Sequence, residues 1–235
     1  MVLPDICFSW KIFNGIKIIV YPQAPSTTAF IYTDYYDMKE IDLLRSMCDE
    51  NSVFIDIGAN VGSYSAMMMD KVKRIIAFEA HPVTFKKLEM LFLLNNYKDY
   101  ELYNKAVSDK AGKIFFTDKG YLSHENSISS SGEGIEVDSD CLDNFITELN
   151  KDDNYVIKID VENFEIEVLK GRKNFFKHIM VRCILFEKSE DKAKQQEIYK
   201  IFSNYGYNVK DIKKSNNVFA QKTFNKDKYN NEFQS

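Results

Sequence analysis

No stretch of this chain stays apolar over anything near the ~18 residues that a membrane-crossing helix needs. Its opening MVLPDICFSW also lacks the basic start and apolar core of a secretory leader. These absences exclude a membrane span and predict a cytoplasmic protein. Cysteine is scarce: Cys7, Cys48, Cys141 and Cys183 lie far apart with no C-x-x-C pair, which excludes a disulfide framework or a zinc ribbon and predicts reduced thiols. Positive charge is not in excess either. Thirty-one Lys and Arg face 35 Asp and Glu, for a net charge of −4, and no basic cluster dominates before the tail, so a nucleic-acid partner is not expected. No segment repeats.

What the chain does have is apolar material and one informative turn. Hydrophobic residues make up 45% of its 235 positions, with 18 Phe and 14 Tyr, enough for one α/β domain with a full core and a small extension. Of only nine glycines, two punctuate Val53-Phe54-Ile55-Asp56-Ile57-Gly58-Ala59-Asn60-Val61-Gly62. A β-branched run ends there in an acid and then enters an amphipathic segment, which reads as a strand feeding a cofactor turn. The turn lacks the G-x-G-x-x-G that wraps a dinucleotide pyrophosphate, and this counts against a nicotinamide oxidoreductase. Its D-x-G-x-N-x-G form suits S-adenosylmethionine, which offers an ammonium and a carboxylate in place of phosphates. An acid at the strand end and free N–H groups at a helix start match those charges. Twenty-one residues beyond Gly58, the run Arg74-Ile75-Ile76-Ala77-Phe78 ends in Glu79, where a doubly wound sheet places the carboxylate that accepts ribose hydroxyls.

The rest of the pattern alternates strand and helix, the mark of a mainly parallel sheet covered on both faces. Residues 1–50 read as an N-terminal extension: a hairpin from Phe8 to Val20 around Asn14-Gly15, then a helix from Asp37 to Cys48. The domain proper is expected over 51–221. Its helices run from Tyr64 to Asp70, from Pro82 with Phe85, Leu88, Leu91 and Phe92 on one face, from Phe164 to Phe176, and from Lys192 to Tyr205 with a stop at Gly206. Its later strands are Glu101 to Val107, Tyr155 to Val161 and Met180 to Phe186, with a short β excursion at Lys113 to Phe116. Asn208 to Ile212 and Val218 to Gln221 close it as an antiparallel hairpin. The Ser, Gly and Asn-rich loop 123–134 is either a connector or a lid over a substrate site, and 222–235 is a polar tail.

Lys158, Asp160 and Glu162 alternate along the strand that starts at Tyr155, so one face carries all three while the strand persists. A lysine within an otherwise apolar strand needs a partner, and Asp160 is the nearest. The acids there read either as a structural pair and a first-turn helix acid, or as reactive groups at the ligand end of the sheet. Glu187 ends the next strand. If the two strands are neighbours, Asp160 and Glu187 face one cleft and can hold a hydroxyl substrate or a divalent cation. His81 follows Glu79 and stands either beside the cofactor or simply at a helix start. His124 lies in the long loop, and His178 ends a helix.

Taken in order, Phe54-Ile55-Asp56-Ile57-Gly58-Ala59-Asn60-Val61-Gly62, Ala77-Phe78-Glu79, Asn104-Lys105-Ala106-Val107-Ser108-Asp109, Ile157-Lys158-Ile159-Asp160-Val161-Glu162 and Val168-Leu169-Lys170-Gly171 resemble the FkbM-type S-adenosylmethionine-dependent methyltransferases over about 53 to 190. The resemblance implies a class I methyltransferase fold, a doubly wound and mainly parallel Rossmann-like sheet ending in an antiparallel hairpin. It implies Asp56, Gly58, Ala59, Asn60, Gly62, Glu79 and the Ala106 backbone around S-adenosylmethionine, with Asp160 at the methyl-transfer site. The family's usual Glu-Pro-Asn is here Glu79-Ala80-His81, and its Asp-Val-Glu-Gly ends here in Asn163, a residue that tolerates left-handed backbone.

The expectation is therefore an S-adenosylmethionine-dependent O-methyltransferase acting on a hydroxyl of a small molecule, sugar or glycan. Asp160 orients or deprotonates the hydroxyl, Lys158 pairs with it, and Glu187 helps directly or through a cation. Two other readings stay open: an RNA ribose 2′-O-methyltransferase, against which the acidic charge counts, and a non-catalytic cofactor-binding protein. Metal dependence, oligomeric state and the acceptor's identity have no sequence signature here.

Overall fold

The computed structural model describes residues 7–12, 15–22, 24–32, 37–116, 134–162, 164–172 and 174–223. The loop 123–133, His124, Asn14, Asn163 and most of the tail lie outside the described residues, as does the His178 side chain.

Seven strands form the central sheet. They are β3 (Ser52–Ile57), β4 (Arg74–Phe78), β5 (Tyr100–Tyr103), β9 (Asn154–Ile159), β10 (Met180–Glu187), β11 (Tyr207–Asp211) and β12 (Asn217–Lys222), in spatial order β11-β12-β10-β9-β3-β4-β5. Neighbours from β5 to β10 pair parallel, while β12 runs antiparallel to both β10 and β11. From β3 the chain proceeds outward through β4 to β5, then returns to β9 beside β3 and proceeds the other way. The order therefore reverses between β3 and β9, which in such sheets opens a ligand crevice beyond the carboxyl ends of the strands.

Alternation within the strands sorts the core into two layers. Val53, Ile55 and Ile57 of β3 and Tyr155, Ile157 and Ile159 of β9 enter one apolar layer with α5 (Glu165–Lys170), α6 (Phe175–His178) and α7 (Lys192–Asn204). Phe54 and Val156 enter the opposite layer with α2 (Met38–Ser46), α3 (Ser63–Met68) and α4 (Pro82–Leu94). A separate ribbon, β1 (Phe8–Lys11) paired antiparallel with β2 (Lys17–Val20), packs Ile18 and Val20 into this second layer. α1 (Pro25–Tyr32) follows the ribbon.

Four sequence expectations change. The run Glu101 to Val107 is broken, because Asn104 donates from Nδ2 to the carbonyls of Glu79 and Ala80 (2.8 and 2.9 Å), which turns the chain out of the sheet. The remainder, β6 (Ala106–Val107), joins a three-stranded sheet with β7 (Gly112–Phe116) and β8 (Ile135–Asp140). The predicted helix Phe164 to Phe176 is two helices parted at Gly171, where an added Cβ would sit 2.1 Å from the Ser108 carbonyl oxygen. The strand carrying Lys158 stops at Ile159, because the Asp160 N–H turns to the Ile57 carbonyl (3.0 Å) and Glu162 takes φ 52°. Finally, α1 and a 3-10 helix at Leu142–Glu148 had no counterpart in the pattern reading.

Candidate functional site

At the carboxyl ends of β3, β4, β9 and β10 a cavity of about 640 Å³ opens, lined among others by Gly58, Asn60, Glu79, Asp160 and Glu187. Its floor is the turn after β3. The Gly58 and Ala59 N–H groups both donate to the Phe78 carbonyl (3.0 and 2.9 Å), and this clamps the turn to β4. Gly58 has φ +77°, and a Cβ on it would stand 1.9 Å from the Asp160 carbonyl oxygen, so only glycine allows the β3 turn and the β9 loop to touch.

Glu79 is 7% exposed and turns its carboxylate toward that turn, accepting the Asn60 N–H on Oε2 and the His81 N–H on Oε1, each at 2.8 Å. Two of a carboxylate's roughly four acceptor positions are then used, and the others remain for a ligand. Asn60 holds φ 53° and accepts the Val61 N–H on its own Oδ1 (2.8 Å). His81 lines the cavity and caps α4, its Nδ1 accepting the Thr84 N–H at 3.4 Å.

Strand register explains the buried charge. Asp56 on β3 pairs with Lys158 on β9, and both point into the α2–α3–α4 layer. Lys158 Nζ lies 3.7 Å from Asp56 Oδ1 and 3.2 Å from Asp160 Oδ2, donates to the Gly58 carbonyl (2.9 Å), and sits 5.1 Å from the centre of the Tyr64 ring. Burial alone would push the ammonium's pKa down, but Asp160 and Asp56 together hold it above the ordinary lysine value. The pairing with Asp160 was anticipated; the second partner, Asp56, was not.

Of the residues expected around the cofactor, Gly58, Ala59, Asn60, Glu79, His81 and Ala106 line the cavity, and so do Lys158, Asp160 and Glu187. Asp56 and Gly62 are not among the lining residues. Asp56 is fully buried, accepting the Ser65 hydroxyl at 2.6 Å on one oxygen and facing the Lys158 ammonium with the other. Gly62 (φ +89°) faces α4, where a Cβ would stand 2.4 Å from a Leu91 methyl. Glu187, half-buried, is pushed up to about 7 by burial, with Asp160 and Glu162 adding repulsion. Oxygens of Asp160, Glu162 and Glu187 lie within 4.8 Å of one another, a spacing that could hold a divalent cation.

Sequence reading missed the wall opposite. Asp37, just before α2, accepts the Tyr64 hydroxyl on Oδ2 (3.0 Å), and Asp37, Glu40 and Tyr64 all line the cavity. Burial, followed by the charges of Glu40 and Asp160, raises Asp37 to about 6 even though the Tyr64 hydrogen bond lowers it.

These carboxyls make the ligand-free fold pH-sensitive. Burial raises Glu79, Glu165 and Glu187 to about 7 each. Between the ordinary carboxyl range near 4.5 and pH 7 the fold keeps protons that the unfolded chain has released, so stability falls as pH rises through that window. The thermal midpoint of the ligand-free protein is expected to be higher near pH 5.5 than near pH 8, and Glu165→Gln, at a residue that is not itself part of the cavity lining, should flatten the difference. An equal slope in that variant would remove Glu165 as a source.

Residues 56–209, well over half of the chain, match the family described as the Methyltransferase FkbM domain. The chain belongs to that family. Among curated proteins, the hexuronic acid methyltransferase AglP of Haloferax volcanii is 26% identical over 144 residues, covering 57% of this chain and 55% of AglP. The chain thus spans about half the length of that relative. Two solved structures are similar in part, and the first of them shows likeness of fold. The tRNA (uracil-54, C5)-methyltransferase of Pyrococcus abyssi, in complex with S-adenosyl-L-homocysteine, aligns at TM-score 0.50 with 11% identity, over 92% of this chain and 43% of its own. An rRNA methylase of Streptococcus thermophilus aligns at TM-score 0.49 with 12% identity, over 79% and 97%. The fold is that of the class I S-adenosylmethionine-dependent methyltransferases, and FkbM membership implies S-adenosylmethionine as cofactor. The residues fit such a group: Glu79 keeps acceptor capacity toward the cavity, and the Gly58 turn lies between it and Asp160. No helix among the described residues is long and apolar enough to cross a membrane.

Proposed function

We propose that this FkbM protein transfers a methyl group from S-adenosylmethionine to a hydroxyl oxygen of a sugar or related polyol. The observation that carries this reading is Asp160, fixed by Lys158 at 3.2 Å where β3 and β9 diverge, in one cavity with Glu79 and Glu187. The hexuronic acid substrate in the name of AglP supports a sugar acceptor.

Glu79 would hold the ribose hydroxyls, and the backbone from Gly58 to Asn60 and at Ala106 would flank the nucleoside. S-adenosylmethionine supplies an electrophilic methyl. Asp160 would orient the acceptor hydroxyl and accept its proton, while Glu187 would hold a neighbouring hydroxyl or a divalent cation. Lys158, bonded to the Gly58 carbonyl as well, ties Asp160 to the turn after β3. Residues 51–221 are assigned to the transfer domain, with 1–50 as an extension that adds to the cavity wall.

Two measurements test this. Calorimetric titration with S-adenosylhomocysteine is expected to give micromolar binding that Glu79→Ala weakens roughly tenfold to a hundredfold, the scale of hydrogen bonds to a charged group. Incubation with methyl-labelled cofactor and a panel of neutral, amino and uronic sugars is expected to leave label on oxygen. Label found only on nitrogen or carbon would overturn the O-directed reading.

A further inference from the structure

Glu40 stands in the first turn of α2, three residues after Asp37, outside the 56–209 stretch that carries the family match. It is only 3% exposed, yet it lines the cavity, and among the described residues no hydrogen bond or ion pair reaches its carboxylate. A ligand that displaces water from this part of the cavity leaves the carboxylate uncompensated unless it brings a cation or donor. Asp37 lines the same wall, with one oxygen taken by Tyr64. Among the described residues, none of the cavity-lining lysines, Lys105, Lys158 and Lys214, forms an ion pair with these two acids. Lys158 is bound to Asp160 and the Gly58 carbonyl, and Lys105 pairs with Asp140 at 2.9 Å.

Resting on the reading of the cavity given above, we infer that Asp37 and Glu40 form the subsite for the α-ammonium of the cofactor's amino-acid end. A sulfonium carries three substituents. With the adenosyl group assigned to Glu79 and the methyl to Asp160, the third is assigned to the part of the lining formed by Asp37, Glu40 and the start of α3. Two carboxylates there, one without a partner, suit a primary ammonium with its three donors. A neutral or anionic group would leave Glu40 uncompensated.

The test compares two ligands that share the adenosine half. S-adenosylhomocysteine carries the ammonium; 5′-methylthioadenosine lacks the whole aminocarboxypropyl arm. Glu40→Gln and Asp37→Asn keep shape, and asparagine can still accept from Tyr64. Each is expected to weaken S-adenosylhomocysteine about tenfold or more in calorimetry while leaving 5′-methylthioadenosine within twofold. Retention of the second ligand also reports an intact fold. If the parent protein binds both ligands and the variants bind S-adenosylhomocysteine undiminished, the subsite is overturned and the cofactor reading stands. Equal loss of both ligands assigns the two acids to the fold and likewise overturns it. If the parent protein binds neither ligand, the cofactor reading itself fails and this inference falls with it.

Discussion

Replacing Asp160 by asparagine is expected to lower the methyl-transfer rate about 10²–10⁴-fold, the range for loss of a positioned general base, with S-adenosylhomocysteine affinity held within severalfold. The split follows from what surrounds the residue. Asparagine keeps the shape, can still accept from Lys158, and leaves the Asp160 backbone bond to the Ile57 carbonyl untouched. The cofactor turn therefore survives, while the group that takes the hydroxyl proton is gone. Single-turnover rates and calorimetry on the same preparation measure the two halves. Unchanged turnover would remove Asp160 from the chemistry. A parallel collapse of cofactor affinity would make it a structural member of the Lys158 cluster.

The second large effect concerns stability. Gly58→Ala should cost roughly 3 kcal/mol or more, combining a left-handed backbone forced on a residue with a Cβ and a core-type steric overlap. The overlap is with backbone, since the Cβ would lie 1.9 Å from the Asp160 carbonyl oxygen and 2.9 Å from its carbon, so no side-chain rotation relieves it. Gly112 supplies the control. It too has positive φ (+153°), but nothing lies within 4 Å of its added Cβ, so alanine there should cost about 1 kcal/mol from the backbone alone. Urea denaturation of the two variants separates these terms, and equal losses would rule out the close crossing as the reason for glycine at 58.

Much of this frame could be read from the chain because its central elements obey simple periods. β3, β4 and β10 are mainly apolar runs with an acid at or just past the carboxyl end, and α4 and α7 carry apolar stripes. The reading failed where distant contacts decide. Asn104 looks like one more polar residue until its amide is seen to bond the Glu79 and Ala80 carbonyls and divert the strand. Gly171 breaks a helix because Ser108, over sixty positions away, occupies the space of a side chain. β8, the run Ile-Glu-Val-Asp-Ser-Asp, buries only one face and carries three acids, so its strand propensity is weak. The site divides the same way. Glu79 and Asp160 sit at strand tips, where topology announces them. Asp37 and Glu40 look like ordinary first-turn helix acids, which a helix dipole would favour anyway, and only the packing of α2 against α3 turns them inward.

The three ties between the β3 turn and the β9 loop are the Asp160 N–H to Ile57, the Lys158 ammonium to Gly58, and the bare Cα of Gly58 against the Asp160 carbonyl. All three join main chain or buried atoms of the sheet itself, and none involves the β1–β2 ribbon, α1 or β7. A lineage could therefore replace those outer parts wholesale, exchanging one acceptor for another, without disturbing the distance over which the methyl travels. The reaction centre would pass unchanged through a series of enzymes that share little on their surfaces.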